Sequence, residues 1–442
     1  MAKNIIEKVP FEFEYGLYDI FSSDNIKYYH SYKEVDSKGR YIYWDKVKYH
    51  AKLNGDDPLI AWYAVKLNRD LGSKLVSLHS KENKFFQYSV HSTLEANLYE
   101  ISEFSKNGLM PADYIGNSYL FSSLVIEEAI SSSQLEGAST TRRVAKEMIV
   151  SAREPRSPDE RMIVNNYLLM KEVKKIKSDI LTVDMILGFH EIATQGLDEN
   201  GVVAGQTRSD DEIFIGDYDG NNIYQPPKYE EIIPRLEQLC RFANQEHRET
   251  DFINPIIKAT ILHFMIGYIH PFSDGNGRTA RALFYWFMLK SGYDYFEYIS
   301  ISKLLKEAPV KYSKSYLYTQ YDNNDLNYFI YYQIDIILRA INDLRVFIEQ
   351  KIKEFEELTY ILKDSSFAKR LNFIQKDIIK KAIKTPGRVF TVNEILVDYD
   401  ISSNTARKYL NELVEYKILL ASKNGRLVTY IAPNNIQSLL KQ

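Results

Sequence analysis

Twelve consecutive residues, His270-Pro-Phe-Ser-Asp-Gly-Asn-Gly-Arg-Thr-Ala-Arg281, gather the side-chain types that handle a phosphorylated ligand. His270 can accept a proton near neutral pH. Asp274 offers a hard oxygen suited to Mg²⁺. Gly275 and Gly277 let the backbone turn tightly with amides facing inward. A helix beginning near Gly277 adds free N–H groups and a positive dipole end, so the turn reads as an anion nest. Arg278 and Arg281 share one helix face and add fixed positive charge. A base, a metal ligand, an anion nest and two cations together suit transfer of a phosphorylated group. The plainer reading is a helix-capping histidine beside a glycine turn. It suits a lone histidine or a lone glycine pair, but not a constellation whose members all serve one anion.

Other chemistries fit less well. Gly275-Asn-Gly277-Arg-Thr-Ala280 matches a dinucleotide fingerprint, but that site needs a strand before it and the sequence here predicts a helix. His190-Glu191 opens like a zinc-protease motif and fails at Thr194. No phosphate-binding loop of the Gly-x-x-x-x-Gly-Lys-Ser/Thr type is present. With 56 Lys and Arg against 59 Asp and Glu, the net charge is −3, which argues against a globally basic nucleic-acid binder. A single cysteine, Cys240, excludes an intramolecular disulfide framework and a cysteine-rich zinc site. The N-terminus does not resemble a signal peptide. The most apolar window, Ile256 to Ile269, is short and interrupted by Lys258 and His263. A cytoplasmic setting and no membrane partner are the expectation. The 34 tyrosines add large, semi-polar contact surface.

The predicted elements make a mainly α chain. Residues 1–115 are Tyr-rich and read as a helical N-terminal region punctuated by Gly39, Gly55 and Gly108. Residues 116–360 read as one domain of successive helices: Asn117 to Leu135 (ended near Gly137), Pro158 to Ile176, Val183 to Gly196, Tyr229 to Glu246, a buried helix Ile256 to Ile269, an amphipathic one Arg278 to Leu289, and Leu326 to about Leu358. Short apolar runs around Asp219-Gly220 predict a hairpin. A boundary falls near 360–370, at the polar stretch Lys363 to Phe367. Residues 370–442 then predict three short helices, with Ser402 as an N-cap, and a hairpin turning at Lys423-Asn-Gly-Arg426, the order of a winged helix-turn-helix.

The twelve-residue segment resembles the Fic motif, His-x-Phe-x-Asp/Glu-Gly-Asn-Gly-Arg-x-x-Arg, at every defined position. The resemblance covers roughly residues 116–330 and includes the helix–hairpin–helix order. It implies a Fic-type helical core with a β-hairpin flap. It also implies a protein adenylyltransferase moving AMP from ATP, with Mg²⁺, onto a Tyr, Thr or Ser hydroxyl of a target protein. By that resemblance His270 is the general base, Phe272 the loop anchor and Asp274 the metal ligand. Asn276, with the amides around Gly275 and Gly277, cradles the α-phosphate, Arg278 and Arg281 reach the β- and γ-phosphates, and Ser273 belongs to the nucleotide-binding set. Ile213, Phe214 and Ile215 form a flap that clamps the target backbone as an added strand. Ser132-Ser-Gln-Leu-Glu136-Gly137 resembles the family's inhibitory pattern on an N-terminal helix (117–137), with Glu136 pairing with Arg281. In some relatives the same glutamate aligns a water that removes AMP, so a bifunctional enzyme stays open, as do self-modification and a homodimer.

The tail, residues 371–442, carries eleven Lys and Arg against six Asp and Glu. Arg407 and Lys408 fall on the expected recognition helix, and Lys423 and Arg426 on the expected wing, which is compatible with DNA phosphates. Two function classes therefore compete: an autoinhibited enzyme, and a DNA-binding regulator whose Fic part only senses nucleotide. The intact His270, Asp274 and arginine pair favour the enzyme.

Overall fold

The computed structural model describes all residues except 1–5, 11–19, 108–118, 152, 198–201, 217–221, 362–369, 400, 425–426 and 437–442. The chain is mainly α. Its N-terminal part holds helices α1 (Ile26–Ser31), α2 (Trp44–Asn54) and α3 (Pro58–Asp70), a hairpin of β1 (Lys74–His79) and β2 (Phe85–Tyr88), and α4 (Ser92–Asn107). The middle holds α5 (Tyr119–Leu135), α6 (Arg142–Ser151), α7 (Pro158–Lys175) and α8 (Val183–Thr194), then the short strands β3 (Ile215–Gly216) and β4 (Asn222–Tyr224). It continues with α9 (Ile232–Asn244), α10 (Pro255–Ile269), α11 (Asn276–Lys290), α12 (Ile301–Glu307), α13 (Pro309–Tyr321) and α14 (Asn327–Ile361). The C-terminal part holds α15 (Phe373–Lys384), β5 (Val389–Thr391), α16 (Val392–Tyr399), α17 (Ser403–Glu415), β6 (Leu420–Asn424) and β7 (Leu427–Ile431). Gly108, Asn117, Asp219-Gly220, the 363–367 stretch and Arg426 lie outside the described residues.

Local signals start the helices that matter for the site. Asn254 accepts a hydrogen bond from the Ile256 amide, with Pro255 behind it, and opens α10. Ser157 caps α7 and Thr182 caps α8 in the same way. Every residue of α10 from Ile256 to Ile266 is buried. The sequence predicts an amphipathic α11, but every residue from Arg278 to Leu289 is buried as well. The reason is tertiary: α7, α8 and α10 all pack against α11, so even its two arginines face protein. These two helices are the axis of the molecule, and the turn between them is the segment His270–Gly275.

The N-terminal region differs from its helical expectation. It contains the β1–β2 hairpin, whose alternate residues Val76, Leu78, Phe86 and Tyr88 enter the main core. Phe86 meets Phe264 and Tyr268 of α10 edge-on, with ring centroids 5.6 and 5.1 Å apart. Each such aromatic pair is worth about 0.5–1.5 kcal/mol beyond its buried area. The hairpin is thus part of the same core as the site.

The tyrosine-rich helices α1–α3 form a second core that closes on Tyr328 of α14. A buried ionic cluster seals the seam. Arg69 donates to Tyr328 Oη at 2.9 Å, to the Glu34 carbonyl at 3.0 Å and to the Ile42 carbonyl at 2.8 Å. Lys66 Nζ pairs with Asp322 at 3.1 Å, and Tyr41 Oη donates to Asp325.

In the C-terminal part β5, β7 and β6 form one antiparallel sheet in that order, beside three helices. Ser402 caps α17, its Oγ accepting from the Thr405 amide at 3.1 Å. Helix α16 touches both α5 and α6. Ser403 and Arg407 of α17 face Glu147 and Arg153 across a cleft. No helix among the described residues is long and apolar enough to cross a membrane.

The Arg69 cluster sets a stability expectation. Arg69→Met leaves buried carbonyls and a tyrosine unpaired beside two buried carboxylates, which should cost about 3 kcal/mol. Urea unfolding followed by circular dichroism reads this as a lower midpoint with an unchanged slope.

Candidate active site

Helix α10 ends because His270 adopts the left-handed conformation (φ 50°, ψ 59°), its amide still bonded to the Ile266 carbonyl at 2.9 Å. Pro271 follows, and the chain drops Phe272 into the core, fully buried. The Phe272 ring lies flat on His190 of α8, with centroids 3.7 Å apart and planes 2° from parallel. The loop returns through Gly275 at φ 80°. A Cβ there would sit 2.8 Å from Thr194 Cγ2, so both the backbone angle and the close approach require glycine. Asn276 then opens α11. Its side chain closes the turn on itself, accepting from the Phe272 amide at 3.0 Å and donating to the Phe272 carbonyl at 2.7 Å. The Asn276 side chain is therefore spent on the loop, which leaves backbone amides to face a ligand. Ser273 is half-buried in the turn.

Two residues outside the motif hold this turn, and the sequence reading assigned neither. His190 accepts from the Gly205 amide through Nδ1 at 3.1 Å, so its Nε2–H donates to the Asp274 carbonyl at 3.0 Å. Burial lowers its pKa to about 4, which keeps that neutral tautomer in place. Arg208 donates from Nε to the His270 carbonyl at 3.1 Å, and its amide donates to the Pro271 carbonyl at 2.9 Å. Its other nitrogens reach the Asp210 carbonyl at 2.6 Å, the Asp211 carboxylate at 2.8 Å and the Pro227 carbonyl, which tie the flap's base to the loop. For His190 a signal existed, a histidine well inside a predicted helix whose His-Glu pair failed as a zinc motif. For Arg208, in an irregular segment, there was none.

The imidazole of His270 stands over a cavity of about 250 Å³. Burial pulls its pKa down to about 4, opposed by the Gly267 carbonyl, so the ring is an unprotonated acceptor at neutral pH. The cavity floor is Asn276, Gly277 and Ala280 of α11, and Tyr312, Tyr316 and Leu317 of α13 form an apolar wall. Ile215 and Ile223 of the flap face it from the other side. Of the flap residues singled out by sequence, Ile215 pairs with Tyr224, Phe214 is exposed, and the Ile213 carbonyl accepts from Gln225 at 3.1 Å.

The two arginines are buried. Arg278 donates to the Ala193 carbonyl at 2.6 Å and to Asp274 Oδ2 at 3.0 Å, and burial lowers its pKa. Arg281 donates to Ser132 Oγ at 2.9 Å, to the Ser132 carbonyl at 3.2 Å and to Glu136 Oε1 at 2.8 Å. Burial disfavours its charge, but the Glu136 carboxylate outweighs that and holds its pKa up. Glu136 sits in the turn that ends α5, just before Gly137 at φ 104°. A Cβ added at Gly277 would collide with Glu136 Oε1 and lie 3.0 Å from Arg281 Nη1. The carboxylate therefore occupies the N-terminal end of α11, where free amides and an arginine converge.

The donor set suits a magnesium nucleotide. Arg278 Nε and Arg281 Nη1 are buried without a hydrogen-bond partner among the described residues, as an anion site needs. Asp274 has the half-exposed carboxylate of the turn. One carboxylate suffices for a cation that arrives on phosphates and keeps its waters.

Part of this chain is similar to known proteins. The Fic/DOC family matches residues 180–288. The protein adenylyltransferase fic-1 of Caenorhabditis elegans is 33% identical over 130 residues, 29% of this chain and 22% of that one. The protein adenylyltransferase Fic of Nematostella vectensis is 28% identical over 135 residues, covering 28% of this chain and 29% of that one. The chain thus spans less than a third of the length of these curated relatives. A crystal structure of a Fic family protein from Desulfovibrio desulfuricans G20 superposes with a TM-score of 0.50 at 16% identity, over 79% of this chain and 98% of that one. From α8 through the His270–Gly275 turn to the body of α11, this chain carries a Fic domain.

Proposed function

We propose that the protein is an adenylyltransferase that moves AMP from ATP to a protein hydroxyl and is held inactive by Glu136. One observation carries the reading: the chain's own carboxylate lies at the N-terminus of α11, bound to Arg281, where the turn offers an anion its donors. A site shaped for phosphates and filled by a carboxylate is a site in its blocked state.

With Glu136 displaced, Arg281 and Arg278 bind the β- and γ-phosphates and the amides near Gly277 receive the α-phosphate. Tyr312, Tyr316 and Leu317 bound the space for the base. Asp274 would hold Mg²⁺, which supplies positive charge against the pyrophosphate as it leaves. His270 takes the proton of the incoming hydroxyl. The oxygen attacks the α-phosphorus in line, the bond to the β-phosphate oxygen breaks, and pyrophosphate departs. The flap edge at Ile213–Ile215 presents backbone groups to which a target segment can add as a strand.

The C-terminal part reads as a winged helix: a capped helix α17, a preceding helix α16, and a β6–β7 wing. DNA stays its alternative partner, but Ser403 and Arg407 open onto the cleft against α6. That placement supports a protein-contact role for this face.

Glu136→Gly should raise AMP transfer from labelled ATP on the order of tenfold or more, the worth of one charge-assisted hydrogen bond of about 1.5 kcal/mol. Autoradiography of the purified protein and of a lysate checks it, and unchanged labelling would remove the inhibitory role. In that background His270→Ala should cost about a hundredfold or more in rate, the usual contribution of a general base. The pH profile follows from the lowered pKa of about 4 at His270. An unprotonated base stays available as pH falls through 6.5, so kcat/KM should hold nearly level from pH 8 to 6. It should decline only as pH approaches 4. A break near 6.5, the value of an ordinary histidine, would contradict this assignment.

A further inference from the structure

A second cavity, of about 280 Å³, lies beside the first and shares Ile223, Tyr224 and Gln320 with it as a common wall. Its other walls come from the β1–β2 turn, the β4 end of the flap, and the corner between α13 and α14. The chemistry changes across that wall. The first cavity is bounded mostly by tyrosines and aliphatic side chains, with His270, Glu136 and Asn276 at one end. The second presents Lys81 and Lys84 against Glu82, two ammonium groups against one carboxylate, together with five amide side chains.

The frame is fixed. The Lys81 amide donates to Tyr268 Oη at 2.8 Å, and Lys81 Nζ donates to the Gln225 carbonyl at 2.9 Å. Tyr224 Oη donates to the Tyr268 carbonyl at 2.7 Å, two residues before His270. The Gln87 amide donates to the Asn324 carbonyl at 3.2 Å, which locks the hairpin to the α13–α14 corner. Lys84 is pinned only through its backbone, its carbonyl accepting from the Ser80 amide at 2.8 Å. Its ammonium group has no ion-pair or hydrogen-bond partner among the described residues. A braced wall thus carries one exposed, uncommitted cation at the cavity that adjoins the one under His270.

We propose that this cavity is the subsite for the polypeptide flanking the modified hydroxyl, and that Lys84, backed by Lys81, selects a segment with an acidic side chain next to it. The inference rests on the adenylyl-transfer reading and adds the substrate class. A protein hydroxyl delivered to His270 across the flap must carry its neighbouring residues past β4, and there they meet this cavity. Amide side chains offer both donors and acceptors to a peptide backbone. An ammonium group without a partner discriminates in favour of a carboxylate and against a second cation. The proposed triphosphate site does not compete for it, because Arg281 is bound to Glu136, which with Gly277 lines the other cavity and not this one.

The test uses full-length Glu136→Gly protein with labelled ATP and a cell lysate, and compares it with Glu136→Gly carrying Lys84→Arg or Lys84→Glu. Modified sites are mapped by mass spectrometry, and ATP affinity is measured by calorimetry. The expected result is that sites labelled by the parent are richer in Asp and Glu nearby than unlabelled hydroxyls of the same proteins, and that Lys84→Arg keeps both yield and preference. Lys84→Glu should lower labelling about tenfold, the effect of roughly 1.4 kcal/mol, and erase the preference while leaving ATP affinity unchanged. Equal yield at the same sites with Lys84→Glu overturns the proposal. Weakened ATP binding by Lys84→Glu also overturns it, since the cavity would then belong to the nucleotide. A parent that binds ATP and labels nothing sinks the adenylyl-transfer reading itself, and the subsite falls with it.

Discussion

Two guanidinium groups, Arg278 and Arg281, lie buried on one face of α11 at its positive end, and nearly everything around the site answers that concentration of charge. Removing a cation from water costs several kcal/mol unless anions or carbonyls replace the solvent. Here the replacements come from separate elements: the Ala193 carbonyl from the end of α8, Asp274 from the turn, and Ser132 and Glu136 from the end of α5. Behind Arg281, Glu128 is fully buried and bonded to Ser300 and Ser302, its pKa raised by burial. The fold thus brings four distant parts of the sequence to one charged spot.

On the proposed reading, that demand is why a blocked state and a binding site would be one structure. A buried cation pair at a helix N-terminus is unstable without a counter-charge, so some anion must sit there. A nucleotide would supply it in passing; in this structure Glu136 supplies it. The competition is local. The last turns of helix α5 are held, with Ser133 Oγ bonded to the Ala129 and Met162 carbonyls and Lys306 holding Gln134. The Glu136 side chain is more exposed than that of Arg281, 23% against 1%. Displacement of the blocking carboxylate therefore asks for rotation of one side chain at the helix end, while the arginine stays where the core has placed it.

How far this was legible in the sequence differs from part to part. The turn was legible because its residue types are set by local geometry: Pro271 and the left-handed Gly275 permit no other backbone path, and the motif is contiguous. The long helices were legible from their caps and apolar periodicity. The amphipathic reading of α11 failed because Arg278 and Arg281 look like solvent-facing residues, whereas tertiary packing buries them. Helices α6, α12 and α13 were not singled out; the last is tyrosine-rich and polar enough to read as a connection. The β1–β2 hairpin was missed although Val76, Leu78, Phe86 and Tyr88 alternate inward, since its turn uses Asn83 at φ 58° rather than a glycine pair. Lys84, next to that turn, could not be related to the site before the hairpin was seen to lean on Tyr268.

The N-terminal region then takes a place that composition alone did not suggest. Its tyrosines are spent inward, in stacked pairs such as Tyr43 and Tyr318, centroids 4.0 Å apart, and around Arg69. Those contacts fasten α1–α3 to α13 and α14, and the hairpin to α10. Because α13 also supplies Tyr312 and Tyr316 to the cavity, the same helix that receives the N-terminal region shapes the space beside His270. A change in how the N-terminal helices sit on Asp322 and Tyr328 would be felt first at the α13–α14 corner, which borders the second cavity. The tyrosine-rich region thus braces from behind the helix that walls the cavity beside His270.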